Sequence, residues 1–476
     1  MFYRLREPWA FRGWKRTPFA IVAESGAHKD DVPRFIRKEV FMDLLSCNGE
    51  EEVDLSQLSE NSRRAIEEMT AHGVLEQSQT RMEPLKSYQH YHVYPSRLLQ
   101  NVHWSITGLC NMKCRHCLVN APLAVHHQPS LADCLHIIDE MDSCGVRQVD
   151  ITGGEPLIRR DFEEIVKALS DRNMEIGLIY TNASLLTDAT LEMLARCGQK
   201  PMFQVSFDGL GHHDWMRGVP GAEKQAARGL KLLQNHAFAA NVAMNIHKGN
   251  KDCLRDTANF LAELGVRTLR LNAPQELGRW KENAADNALT EDEVWEVYRR
   301  YIDDFFADGM PIGIQLDGYF VCGKGSTDYS IAYVKHTDGE TDWSKTLYCG
   351  IAAANVYISP EGRAMPCMGF SDTVLSDRFP SVLENHLGDL TLEGYYHDLT
   401  ETRLSDLLAG SPECRTCSHF SQCRGGCMLE GMDDEGNFLR PDPRVCYFFK
   451  HIGEQAVRDA ADAAIRKYVQ TGLQSP

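Results

Sequence analysis

The sequence predicts an α/β protein: a partial (β/α)6 barrel of the TIM type, with a winged helix-turn-helix domain before it and a cysteine-rich domain after it. Three observations carry this. Between Val102 and Leu271 short apolar strand patterns alternate with amphipathic helix patterns, as a parallel sheet with outer helices requires. The most chemistry-laden stretches, Cys110 to Cys117 and Gly153 to Pro156, directly follow the first two strands. From Cys349 onward the composition shifts and cysteines recur at short intervals. The expected domains are residues 1–95, 96–316 and 317–476.

Size and composition bound the function classes. A chain of 476 residues exceeds one small core, and 43% apolar with 25% charged residues is the composition of a globular protein. The net charge of −17 argues against general affinity for nucleic acid or anionic membrane. No run of about 18 apolar residues occurs, and Met1 to Lys15 mixes Arg, Glu, Lys and Trp where a signal peptide would be apolar. A cytoplasmic location is expected. Disulfides do not persist there, so the 16 cysteines read as metal ligands and buried thiols.

In the first domain, Phe19 to Val22 reads as a strand, Val32 to Ser46 as an amphipathic helix and Glu52 to Leu55 as a short strand. Glu60 to His72 is a second helix and Gly73 to Gln77 a returning strand. That order is a winged helix-turn-helix. The second helix offers Arg63 and Arg64 but then Glu67 and Glu68, a poor surface for phosphates. Peptide recognition by strand addition beside the helix suits it better; a DNA-binding or structural appendage is the alternative.

A Tyr- and His-rich linker, Ser87 to Asn101, leads to the barrel strands Val102–Thr107, Gln148–Thr152, Ile176–Thr181, Phe203–Ser206, Asn241–Ile246 and Thr268–Leu271. Helix patterns separate them at Ser130–Ser143, Arg160–Asp171, Asp188–Cys197, Ala222–Asn235 and Asp252–Leu264. Glu291 to Ala307 is a further amphipathic helix and Ile312 to Leu316 a further strand. In such barrels chemistry sits at the C-terminal strand ends. The three cysteines, Gly153-Gly154-Glu155-Pro156, Asn182 and Asp208 follow the first four strands in turn.

Cys110, Cys114 and Cys117, spaced x3 and x2, put three thiolates around one inorganic centre with a fourth position open. A four-thiolate zinc site would want another local cysteine; Cys134 instead falls in with Leu131, Leu135 and Ile138 on a helix. Gly153 and Gly154 let backbone approach a ligand, and Glu155 adds a carboxylate suited to an ammonium group. The alternative is a helix-entry turn.

This pair of motifs resembles the signature of the radical S-adenosylmethionine (SAM) superfamily. The resemblance implies that the three cysteines hold a 4Fe–4S cluster whose unique iron is chelated by SAM. It further implies that Gly153, Gly154, Glu155 and Pro156 receive the methionyl amino group and that Asn182 lies at the same site. His116 would stand where an aromatic residue meets the adenine, and Ser206 and Arg217 where the ribose and carboxylate are held. A solvated loop histidine, a capping serine and a surface arginine are the plainer alternatives for these three.

Cys349-x12-Gly362-x4-Cys367, then Cys414-x2-Cys417-x5-Cys423-x3-Cys427 and finally Cys446, are similar to the seven-cysteine SPASM extension of radical SAM enzymes. A zinc ribbon would use four of these and leave three unexplained. By the resemblance, Cys414, Cys417, Cys423 and Cys446 complete one auxiliary 4Fe–4S cluster. Cys349, Cys367 and Cys427 hold another, for three clusters in all. Cys322 could be its fourth ligand, a hydrogen donor in catalysis, or a buried thiol.

The fused domains look like a maturase of ribosomally made precursor peptides, with the N-terminal domain holding the leader. An electron donor such as flavodoxin or ferredoxin is implied. Oxidative cross-linking to a thioether is the first expectation and a carbon–carbon link the second. Epimerisation, a sulfatase-type maturase and a non-catalytic electron-transfer or peptide-carrier scaffold are the alternatives.

Overall fold

The computed structural model describes residues 1–24, 34–123, 125–274, 278–336 and 341–472. Contacts divide the chain into two units. One comprises Met1–Gln100, Asp139–Arg147 and Asn385–Gly394; the other holds the remainder.

The first unit contains β1 (Phe2–Leu5), β2 (Trp9–Trp14), β3 (Phe19–Glu24), β4 (Arg34–Arg37), α1 (Lys38–Leu44), β5 (Asn48–Glu52), α2 (Glu60–Ala71), β6 (Leu75–Ser78) and β7 (His92–Tyr94). These form a three-stranded sheet ordered β5-β1-β6 and a four-stranded sheet ordered β4-β3-β2-β7. Ser59 caps α2 by accepting from the Ser62 amide, and Ile66 and Met69 of that helix join Leu5, Phe11, Phe41 and Leu44 in the core. Two expectations shift. The strand β4 replaces much of the first half of the helix expected at 32–46, of which residues 32–33 lie outside the described residues. The expected linker contributes β7, paired parallel to β2. The segments from elsewhere in the chain are bound in firmly: the Trp14 indole donates to the Cys144 carbonyl at 2.9 Å, and Glu140 accepts from the Leu387 amide at 2.8 Å.

The second unit is built on β8 (Asn101–Ser105), β9 (Gln148–Thr152), β10 (Glu175–Thr181), β11 (Met202–Ser206), β12 (Ala240–Asn245), β13 (Thr268–Asn272), β14 (Gly313–Leu316), β15 (Phe320–Cys322), β16 (Tyr329–Ser330), β17 (Asn355–Ile358) and β18 (Ala364–Met365). They form one eleven-stranded sheet, ordered β16-β15-β14-β13-β12-β11-β10-β9-β8-β17-β18. From β17 through β8 to β14 every neighbour is parallel. The sheet thus exceeds the six strands expected. Helices α3 (Leu131–Ser143), α4 (Phe162–Asp171), α5 (Asp188–Arg196), α6 (His213–Arg217), α7 (Ala222–Asn235), α8 (Leu254–Glu263), α9 (Gly278–Asn283) and α10 (Glu291–Ala307) alternate with its strands.

The cysteine-rich region is not a separate compact body. Its Asn-Val-Tyr-Ile segment, β17, pairs in register with Val102 and Trp104 and covers what would otherwise be an open edge beside β8. The expected boundary at 316 therefore falls inside a continuous sheet. Among the described residues no helix is long and apolar enough to cross a membrane.

Candidate active site

The cysteine loop is held in place by backbone bonds on two sides. Toward β9, the Gly154 amide donates to the Thr107 carbonyl at 2.8 Å and the Glu155 amide to Leu109 at 2.9 Å. A β-carbon on Gly154 would stand 2.2 Å from the Leu109 carbonyl oxygen, and one on Gly153 2.5 Å from that of Thr107. The glycines are thus required first for the packing of one loop on another. Toward α6, Lys113 and Arg115 amides donate to the Arg217 and Met216 carbonyls, while the Arg115 guanidinium lies 4.6 Å over the Trp215 ring.

This clamp leaves Cys110, Cys114 and Cys117 around a cavity of about 250 Å³ that is also lined by His116, Gly153, Gly154, Asn182, Ser206 and Arg217. A second cavity of about 400 Å³ shares His116, Tyr180, Ser206 and Met368 with it and extends along the strand ends to Arg270, Asp317 and Arg444. Most predicted site residues are brought together here. Glu155 and Pro156 are not among the lining residues. Glu155 is buried, and its oxygens accept from the Leu157 and Asn182 amides and the Thr181 hydroxyl at 2.8–3.2 Å. Burial raises its carboxyl to about 7 despite these bonds.

Arg217 is buried rather than on the surface. Its Nε stands 2.7 Å from Asp208 Oδ2, which is also 3.2 Å from His213 Nδ1, and its other end reaches the Cys114 sulfur at 3.6 Å. Burial opposes ionisation of both partners, but their mutual attraction overrides it: the Asp208 carboxyl is held far below its usual range and the Arg217 guanidinium above. His116 is pushed down to about 3 by burial, with Arg217 adding to the effect. It is therefore neutral, with Asn245 donating to its Nε2 at 3.0 Å and with Nδ1 lacking a hydrogen-bond partner. His213, Asn245 and Asn111, which accepts from the Asn182 amide group, were not singled out from sequence. Asn245 ends the strand β12, whereas His213 opens α6 and Asn111 lies within the cysteine loop.

Several of the later cysteines are electrostatic neighbours: Cys349 of Cys367, and Cys367 of Cys427; Cys414 and Cys417 of Cys423, and Cys414 and Cys423 of Cys446; Cys427, Cys414 and Cys446 all act on Tyr348. Burial raises the thiol of Cys423 to about 11 and that of Cys446 to about 12, a penalty that bound metal removes by stabilising the thiolate; Cys367 and Cys427 are exposed to solvent.

Cys322 corrects one expectation. It ends β15 and pairs with Ile314 on β14, near the end of β14 opposite to Asp317. Its thiol donates to the Ser326 and Asp328 carbonyls at 3.1 and 3.3 Å. It lines neither cavity, so of its three readings the structure favours the buried thiol over ligand or hydrogen donor.

The donors present suit the groups the sequence implied. Three thiols face one cavity with a free fourth side, and the unpartnered His116 Nδ1 is a buried polar atom beside that cavity. Among the described residues no three His, Cys, Asp or Glu side chains converge on a single-ion site.

Comparison with known proteins agrees. Residues 104–261 match the radical SAM superfamily. The subtilosin biosynthesis protein AlbA of Bacillus subtilis is 24% identical over 69% of this chain and 67% of its own. The PqqA peptide cyclase of Granulibacter bethesdensis is 26% identical over 75% and 90%, and an AdoMet-dependent heme synthase of Methanosarcina barkeri 26% over 72% and 95%. The crystal structure of Streptococcus suis SuiB bound to precursor peptide SuiA superposes with a TM-score of 0.62 at 15% identity, over 94% of this chain and 100% of that one. Such domains use a 4Fe–4S cluster and SAM. The thiol-lined cavity at the strand ends thus lies, Met368 apart, within the segment that is similar to the radical SAM superfamily, in a chain whose relatives include a bacteriocin biosynthesis protein and a peptide cyclase.

Proposed function

We propose that this protein modifies a ribosomally made precursor peptide by hydrogen abstraction and oxidative cross-linking, a thioether being the first product to seek. The observation that carries this is the joining of a thiol-lined cavity to a larger one along the strand ends, the second with room for a peptide side chain. Bound SAM, when reduced, supplies the radical that abstracts hydrogen. Cys110, Cys114 and Cys117 hold its cluster. Gly153, Gly154, Asn182 and Ser206 position it, and neutral His116 meets the adenine. Arg217, fixed by Asp208, keeps positive charge beside Cys114. Glu155, with both oxygens engaged, acts by fixing the Asn182 turn rather than by meeting the ammonium group directly.

The cysteine groups Cys349, Cys367, Cys427 and Cys414, Cys417, Cys423, Cys446 hold two auxiliary clusters. In the first unit a groove lined by Phe35, Ile36 and Arg37 of edge strand β4 and by Arg64 and Glu68 of α2 suits an added peptide strand. Flavodoxin or ferredoxin is the electron donor, and the location is cytoplasmic.

The test is anaerobic incubation of reconstituted protein with SAM, reductant and candidate cysteine-containing precursor peptides, followed by mass spectrometry. Loss of two hydrogens with one cysteine protected from alkylation is the expected result. The same loss with all thiols free indicates a carbon–carbon link, and unchanged mass with an inverted residue indicates epimerisation. Release of 5′-deoxyadenosine with the peptide untouched would redirect attention to a non-peptide substrate, such as those of the heme-synthase relatives.

A further inference from the structure

The thiols Cys349, Cys367 and Cys427 leave one corner of a four-iron cluster without a protein ligand, and Cys322 is turned into a hairpin elsewhere. A different residue stands beside the gap. Cys427 opens a tight turn closed by the Gly431 amide donating to the Cys427 carbonyl at 3.1 Å. The turn is fixed on one flank by Asp442, which accepts from the Cys427 amide at 3.2 Å. On its other flank Leu429 lies over Gly369, where an added β-carbon would stand 2.1 Å from Leu429 Cδ2 and 3.7 Å from the Cys367 sulfur. The segment 427–431 is thereby pressed against the chain that carries Cys367.

Glu430 is on this turn. Its carboxylate lies within electrostatic range of both Cys367 and Cys427, and its Oε1 is buried with no hydrogen-bond partner. Arg444, the nearby cation, is already held by Asp317 at 2.8 Å and Glu291 at 3.1 Å. Asp442 and those two carboxylates only add negative charge around Glu430. A buried acceptor in such company either keeps a proton or meets a cation or metal centre.

We propose that Glu430 is the fourth protein ligand of the auxiliary cluster held by Cys349, Cys367 and Cys427. This rests on the auxiliary-cluster reading above. A carboxylate oxygen is a harder donor than thiolate and a poorer match for iron in a sulfur cluster. The position it fills is one that a softer sulfur donor, such as a substrate cysteine, can take over. Met368, next to Cys367, lines both cavities, so the chain that carries Cys367 reaches the place where a substrate would lie.

The experiment uses the full chain with Cys110, Cys114 and Cys117 replaced by Ala, reconstituted anaerobically, so that only auxiliary clusters contribute. Iron content, the electron paramagnetic resonance of the reduced protein and midpoint potentials are compared for this parent, Glu430→Gln and Glu430→Cys. The expected result is that Glu430→Gln changes the g-values and potential of one cluster and leaves the other alone. If Glu430→Gln instead loses the iron of one cluster, Glu430→Cys restores it. Unchanged spectra and potentials in Glu430→Gln, or an iron loss that Glu430→Cys does not restore, overturn the assignment. A parent that takes up less iron than two full clusters contain overturns the reading beneath it, and is told apart because it fails before Glu430 is touched.

Discussion

Arg217 joins more of the site than any other single residue: its guanidinium ties Asp208 to Cys114 while its carbonyl receives the Lys113 amide. Removing the negative partner strands a buried charge. Asp208→Asn is expected to lower unfolding free energy by about 3–5 kcal/mol, read from the urea midpoint at constant slope. A loss below about 1 kcal/mol would mean the pair behaves as a solvated one. A second pair has a pH signature. His126 Nδ1 stands 2.8 Å from Glu361 Oε1, and this bond raises the imidazole above its usual range against the effect of burial. A raised histidine contributes fully below its unfolded value of about 6.5 and loses that contribution as pH rises through the folded one. The Tm gap between wild type and His126→Gln should therefore shrink from pH 6 to pH 9; a constant gap would show that the contact is not ionic. Individual residues were unevenly legible. Thiols and paired glycines announce themselves by type and spacing. The inward turn of Glu155 does not, because chain order says nothing about which amides, here Asn182 and Leu157, close on a carboxylate.

At the scale of elements, the cysteine loop depends on the end of β9 more than on its own sequence. Gly154→Ala would force a methyl group against the Leu109 carbonyl, a backbone atom that cannot rotate away. We expect a loss of about 1–3 kcal/mol together with reduced iron at the proposed first cluster and unchanged iron at the proposed auxiliary ones. Iron loss spread equally over all clusters would mean that the clamp is not local. Elements with local punctuation were read correctly: α10 begins where Thr290 and Glu293 form a capping box and spans Glu291–Ala307 as expected. The strand β4 was not. Phe35, Ile36, Val40, Phe41 and Leu44 satisfy a helical period, yet residues 34–37 pair antiparallel with β3 from Phe19 to Val22, and that pairing overrides the local pattern. The strand β17 lay hidden inside the cysteine-rich region because its partner, β8, is some 250 residues earlier.

At the scale of the molecule, sequence order misleads about where the first unit ends. A boundary at residue 95 looks natural, since it falls in the Tyr- and His-rich linker before the first barrel strand. The folded unit nevertheless recruits Asp139–Arg147 and Asn385–Gly394, and these segments satisfy groups that an N-terminal fragment would leave bare. Trp14, 2% exposed, loses its acceptor when Cys144 is absent, and Gly145, whose missing side chain makes room for the Tyr94 ring, goes with it. Ser96 likewise donates to the Cys144 carbonyl, at 3.2 Å. Unpaired buried donors cost about 1–3 kcal/mol each, and a fragment of about 100 residues has only some 5–15 kcal/mol in hand. A fragment of residues 1–100 should therefore show red-shifted tryptophan emission and a Tm well below that of the full chain. Its two sheets should still form, because the core around Phe11, Phe41 and Ile66 lies wholly within it. On the proposed leader-binding role, peptide affinity measured on such a fragment would then underestimate that of the intact protein. Equal affinity and an unshifted emission spectrum would show instead that the recruited segments lean on the unit without supporting it.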